Sequence, residues 1–213
     1  MIIGPKAYYE EHLKGKTPEE IMTKIRGLKQ KISHLKKEIE HPQRSKKANL
    51  SEQALISRYR QNLTRAKQAL VEVGGIYSPS QAELRVEELN TNIPYISKIE
   101  FSIGGFFTGF EKRTFTVDGD LIHVDIEHTF DWEFPSQSIE IKKEPFLKNL
   151  ADLHLGEWRR TYDPIRFGYI VLDGTSWVLK IHFSNGYKSR KFEGSNDFPY
   201  NFNKFKKSLG IKG

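Results

Sequence analysis

Two stretches of this chain carry unbroken apolar heptads, and they constrain its fold more than any other feature. Ile21, Ile25, Leu28, Ile32, Leu35 and Ile39 follow spacings of 4, 3, 4, 3, 4, and Ile56, Tyr59, Leu63, Ala66, Leu70 and Val73 follow 3, 4, 3, 4, 3. Residues three and four apart share a helix face, so each stretch predicts a helix with one apolar stripe. Thr17-Pro18-Glu19-Glu20 opens the first with a cap, a proline at the first helical position and a glutamate three residues on. Ser51 stands where it caps the second, and Gly74-Gly75 stops it. The connection from His41 to Leu50 would have to be stretched taut to run back along a helix of about 35 Å, so the two helices run antiparallel. Matching the seams sets Ile39 near Ile56, Leu35 near Tyr59, Ile32 near Leu63, Leu28 near Ala66, Ile25 near Leu70 and Ile21 near Val73.

That register has an electrostatic consequence. It brings Lys36 near Arg60 and Lys29 near Lys67, where a self-sufficient coiled coil sets opposite charges. The other edge pairs Lys24 and Lys31 with neutral Ala69 and Asn62, and the connection adds Arg44, Lys46 and Lys47. Charge is uneven along the whole chain: residues 1–75 hold 16 Lys+Arg against 8 Asp+Glu, and the remaining 138 hold 18 against 19. The stripe reads either as a solvated face, since like-charge neighbours cost only tenths of a kcal/mol each, or as a surface for something acidic. An acidic partner would be nucleic acid, a nucleoprotein complex or an acidic protein surface. No zinc finger, RNP motif, GXXG loop or helix-turn-helix is present to read bases.

The remainder reads differently. Residues 76–97, with Pro79, Glu83, Glu87, Glu88 and Pro94, look like a linker holding a short acidic helix. Beyond it Ile99, Phe101 and Ile103 alternate as a strand, and Asp118-Gly119 predicts a two-residue turn pairing Phe115 with Ile122, Thr114 with His123 and Lys112 with Asp125. Ile139 and Ile141 mark a further strand, and Phe146, Leu147, Leu150 and Leu153 a helix. Trp177, Leu179, Ile181 and Phe183 form a central strand between turns at Asp173-Gly174 and Asn185-Gly186, before a closing helix with Phe202, Phe205 and Leu209. The expected fold is α+β: a basic helical hairpin over 1–75, the linker, and an antiparallel-sheet domain with two helices over 98–213. There is no cysteine, which excludes disulfides and thiolate chemistry. Met1 to Lys6 meets charge at once, so export and membrane insertion are not expected and a cytoplasmic location is.

Chemistry-bearing groupings are sparse. His123, Asp125 and Glu127 share a strand face beside His128, a set able to hold a divalent metal for hydrolysis or simply an exposed polar face. His154 and Glu157 have an H-x-x-E spacing, but Gly156 sits where a helix ends. Trp158-Arg159-Arg160-Thr161-Tyr162-Asp163 offers rings and guanidinium groups that would stack a base, or else frame the sheet with an arginine paired to Asp163. No P-loop, GxGxxG or G-x-S-x-G is present, so no catalytic residue, metal or cofactor is assigned.

The opening Ile3-Gly4-Pro5-Lys6-Ala7-Tyr8-Tyr9-Glu10-Glu11-His12-Leu13, with Ile25-Arg26-Gly27-Leu28-Lys29 and Arg65-Ala66-Lys67-Gln68-Ala69-Leu70, resembles the start of small uncharacterised proteins of gut-bacterial genomes and their mobile elements. The C-terminal half is similar to another uncharacterised group through Gly156-Glu157-Trp158-Arg159-Arg160, Leu172-Asp173-Gly174-Thr175 and Gly194-Ser195-Asn196-Asp197-Phe198-Pro199-Tyr200-Asn201-Phe202. No activity comes with either resemblance; they imply a mobile-element origin. The expectation is therefore a non-enzymatic binding protein that engages nucleic acid or a nucleoprotein complex, in the version that mobile elements favour an inhibitor of a CRISPR-type or other nuclease defence system. The alternatives are a module that associates with a partner or a second copy through its apolar seam, and a metal-dependent hydrolase.

Overall fold

The computed structural model describes residues 3–41, 50–105, 107, 109–129, 135–171 and 173–211. It divides the chain into two units, Met1–Pro79 and Ser80–Gly213.

The first unit is helical: α1 spans Pro5–His12, α2 Pro18–Glu40 and α3 Leu50–Glu72. α2 opens with the predicted reciprocal cap, Glu20 N–H donating to Thr17 Oγ1 at 3.3 Å and Thr17 N–H to the Glu20 carboxylate at 2.9 Å. α3 ends where Gly74, at φ +78°, lets the Gly75 N–H reach back to the Leu70 carbonyl at 2.8 Å. Ile21, Ile25 and Leu28 cluster with Ala66, Ala69 and Leu70, so the start of α2 lies against the end of α3 and the helices are antiparallel.

A third helix, α1, precedes the hairpin. Leu13 joins the buried cluster, with Tyr8 and Tyr9 packed against it. The Asn62 amide donates to the Ile3 carbonyl at 3.3 Å, and the Arg65 guanidinium lies 3.9 Å from the centre of the Tyr9 ring. α1 therefore follows the edge of α3 marked by Asn62, Arg65 and Ala69. This corrects the seam. Asn62 and Ala69, read as neutral flanking positions, are each 1% exposed, while Val73, read as the last seam residue, is 45% exposed. The apolar face of α3 is turned partly toward α1, and it runs out where Gly74 ends the helix.

The second unit begins earlier than the sequence predicts. Most of the expected linker 76–97 is ordered: α4 (Gln81–Asn92) starts with a capping box between Ser80 and Glu83, and buries Leu89 in this unit's core. The strands are β1 (Ile96–Gly105), β2 (Gly109–Asp118), β3 (Leu121–His128), β4 (Gln137–Lys142), β5 (Thr161–Tyr162), β6 (Ser176–Phe183) and β7 (Arg190–Ser195). They form one sheet in the order β4-β3-β2-β1-β6-β7-β5, antiparallel except where β5 meets β7. α5 (Lys143–Ala151) and α6 (Phe202–Ser208) supply Phe146, Leu150, Phe202 and Phe205 to a core shared with Ile99, Phe101, Phe115, Ile122, Leu179 and Ile181. The α+β class holds.

The β2–β3 turn is offset from the predicted one. Asp118 and Leu121 form the last pair, so Phe115 faces Val124, Thr114 faces Asp125 and Lys112 faces Glu127. Gly119, with φ +54°, takes the first turn position, not the second. The slip is two residues, and because side chains alternate with period two it leaves every residue on its predicted face.

Candidate interaction face of the helical unit

The antiparallel register brings two cations of the predicted stripe to one tyrosine. Lys29 donates from Nζ to the Tyr77 hydroxyl at 3.3 Å and lies 5.8 Å from the centre of its ring. Lys67 Nζ lies 4.2 Å from the same centre. Both distances are within cation–π reach, which eases the meeting of like charges by setting each against the electron-rich ring. Tyr77 falls in the stretch that the sequence marks as linker; it lies beyond the end of the seam, and no periodicity marks it.

With Lys29 across from Lys67, one heptad toward the hairpin's tip puts Lys36 across from Arg60 in the same register. Both are partly buried. On the other edge Lys24 and Lys31 are exposed, and Lys31 Nζ lies 5.7 Å from the centre of the Tyr59 ring. That edge of α3 is the one α1 follows, so the hairpin's two edges are not equivalent: one is packed by a helix and the other carries the Lys29–Tyr77–Lys67 group. Arg44, Lys46 and Lys47 lie outside the described residues.

The other predicted groupings are placed in the second unit. Trp158 is 6% exposed and its ring meets those of Trp177, Phe192 and Phe205 at 5.9, 5.7 and 5.0 Å, while its indole N–H donates to Asn201 Oδ1 at 2.8 Å. A ring so enclosed offers no face for stacking a base, so Trp158 is a core residue. Arg159 and Arg160 are exposed. The Asp163 carboxylate caps the turn at Pro164–Phe167 by accepting from Ile165 N–H at 2.9 Å, and the partly buried Arg166 pairs with the buried Asp197.

The histidine strand face is split among cross-strand partners. His123 Nδ1 lies 3.1 Å from a Glu140 oxygen, Asp125 accepts from Ser138 Oγ at 2.9 Å, and Glu127 pairs with Lys112 at 3.2 Å. Among the described residues no group of three or more His, Asp or Glu side chains is arranged to hold a metal ion. His154 sits at φ +51° just before a short turn, and Glu157 accepts from the Tyr200 hydroxyl at 2.9 Å, so the two do not share a helical face. Gly156 is there because α4 passes: a Cβ would stand 2.6 Å from Val86 Cα. No helix among the described residues is long and apolar enough to cross a membrane.

Comparison with known proteins finds no family model, no curated protein and no solved structure that matches this chain. The reading of its function rests on the chain's own residues.

Proposed function

We propose that the helical unit is a binding module, without catalytic function of its own, that engages nucleic acid, alone or within a nucleoprotein complex, through the edge carrying Lys29, Lys36, Arg60 and Lys67. The observation that carries this reading is the convergence of Lys29 and Lys67 on Tyr77. It supports a built positive edge, because the fold holds two ammonium groups together against their repulsion. The surplus of cations in residues 1–75 supports it further, since 8 acidic residues cannot neutralise 16 basic ones. Phosphates do this well, because each contact releases condensed counterions. An inhibitor of a nuclease-type defence system would use such an edge to hold the nucleic acid that the system carries. The competing self-association reading required cover for a two-helix seam, and α1 already covers one side of it.

The test is fluorescence anisotropy with single-stranded and duplex oligonucleotides over a range of salt. Four phosphate contacts give a log–log slope of about −2.8 for single strands and about −3.6 for duplex. Lys29→Glu with Lys36→Glu should leave the helical circular-dichroism signal intact and flatten that slope. Equal binding by this variant and the parent would exclude the edge. Binding to an acidic protein in place of either oligonucleotide would move the reading to a protein partner.

A further inference from the structure

We propose that Ser189, His182 and Glu100 form a nucleophile, a base and an orienting carboxylate that accept small activated acyl or phosphonyl groups onto Ser189 Oγ. This site lies in the second unit and does not depend on the basic edge of the first.

The sheet's register builds it from residues far apart in sequence. β1 and β6 pair so that Lys98 faces His182 and Glu100 faces Lys180. Glu100 and His182 are thus diagonal neighbours on the face opposite Phe101 and Leu179, within reach of long side chains. β7 begins with Arg190 opposite Ile181, which brings Ser189, one residue earlier, beside His182. Ser189 Oγ lies 3.2 Å from His182 Nδ1, and Glu100 Oε2 lies 3.2 Å from His182 Nε2.

That arrangement selects a tautomer. A carboxylate accepts the Nε2 proton and leaves the Nδ1 lone pair toward the serine hydroxyl, as a general base needs. Glu100 in turn accepts from Lys98 Nζ at 2.8 Å. The bond from Lys98 lowers the Glu100 carboxyl most, desolvation pushes it back next, and the bond from His182 adds a further lowering that leaves the group below the ordinary glutamate range. The segment bearing Ser189 is pinned on both sides. Tyr187 N–H donates to Asn185 Oδ1 at 3.1 Å, Arg190 Nε donates to the Tyr187 hydroxyl at 3.0 Å, and the rings of Phe183 and Tyr187 meet edge-on at 4.9 Å. Side chains held this way keep a nucleophile–base geometry.

The substrate class follows from access. The His182 and Glu100 side chains are 38% and 28% exposed, so a small donor reaches Ser189 from the open sheet face. In the step, Ser189 Oγ bonds to the acyl carbon as its proton passes to His182 Nδ1. The bond to the leaving alkoxide breaks as the alkoxide takes that proton, and water repeats the sequence to release the acid. A fluorophosphonate follows the same path, forming the Oγ–P bond and releasing fluoride.

The experiment incubates the full chain with a fluorophosphonate and maps adducts by peptide mass spectrometry. An adduct on Ser189 is expected, absent in Ser189→Ala and slower by about a hundredfold in His182→Gln, the loss typical of a missing general base. Glu100→Gln should also slow labelling, and ¹⁵N shifts of the His182 ring should move from one tautomer in the parent to a mixture in this variant, which a purely structural glutamate would not produce. No adduct on Ser189 in the parent, or an equal labelling rate in folded His182→Gln, overturns the proposal.

Discussion

The Lys67 ammonium sits 4.2 Å from the centre of the Tyr77 ring, closer than the 5.8 Å of Lys29 from the same ring. A cation so placed is attracted by the ring's quadrupole, by about 0.5–1 kcal/mol at exposed sites. A double-mutant cycle with Lys67→Met and Tyr77→Leu, read by denaturant unfolding followed at the helical signal, should give a coupling energy of that size. Coupling indistinguishable from zero would mean that the ring does not hold the two cations together.

α1 should matter to stability in a way that the last heptad position does not. Leu13 is buried at 1% exposed and Val73 is 45% exposed. Leu13→Ala should cost about 2–5 kcal/mol, while Val73→Ala should stay within about 0.5 kcal/mol. Thermal melts of both variants check this, and equal shifts would mean that α1 adds no packing to the helical unit.

These two residues also show what the sequence made legible. The seams of α2 and α3 were readable because 3-4 spacing is a local signal, and Ile21, Ile25, Leu28, Ala66 and Leu70 are buried as that spacing requires. Which side of α3 a third helix would cover was not readable, since α1 has eight residues and too short an apolar pattern to aim itself. The boundary at 76–97 misled for a related reason: the exposed glutamates of α4 look like linker, and only Leu89 and Ile93 betray its packing. The Asp-Gly signal found the β2–β3 hairpin but not which turn position Gly119 fills. Tyr77, and the row of Glu100, His182 and Ser189, lie beyond local pattern altogether, because loop return and strand register bring them to their partners.

Asp197 is 3% exposed and accepts from Arg166 through both carboxylate oxygens, at 2.5 and 3.0 Å, and from Phe198 N–H at 2.9 Å. Removing one partner of such a pair leaves a poorly solvated charge with nothing to meet it. Asp197→Ala should therefore cost about 3–5 kcal/mol, and Asp197→Asn, which keeps an acceptor, should cost less. Guanidinium chloride unfolding followed by tryptophan fluorescence reads both, and indifference to Asp197→Ala would make the pair a surface contact.

Glu100 gives the second unit a pH dependence of known sign. Its folded carboxyl is held below the ordinary range by Lys98 and then His182, so the unfolded chain takes up the proton first as pH falls. The stabilisation is present in full above the unfolded value and fades below about pH 4 as the folded group is protonated. Glu100→Gln should flatten the acid limb of a stability-against-pH curve measured by chemical denaturation. A limb as steep as the parent's would assign it to other carboxylates.

The pairing of β1 with β6 joins strands that leave the ribosome far apart in time. Between Gly105 and Ser176 lie about seventy residues, some 4–14 s of synthesis at ordinary rates of about 5–20 residues per second. Through that interval β1 to β4 can zip together as a meander, yet β1 presents its outer backbone groups to water or to other nascent chains, as any unpaired edge does. The strand at the middle of the finished sheet is thus its margin during birth. Chains arrested before residue 176 should cross-link to one another through β1, and the arrival of β6 is what withdraws that edge from traffic.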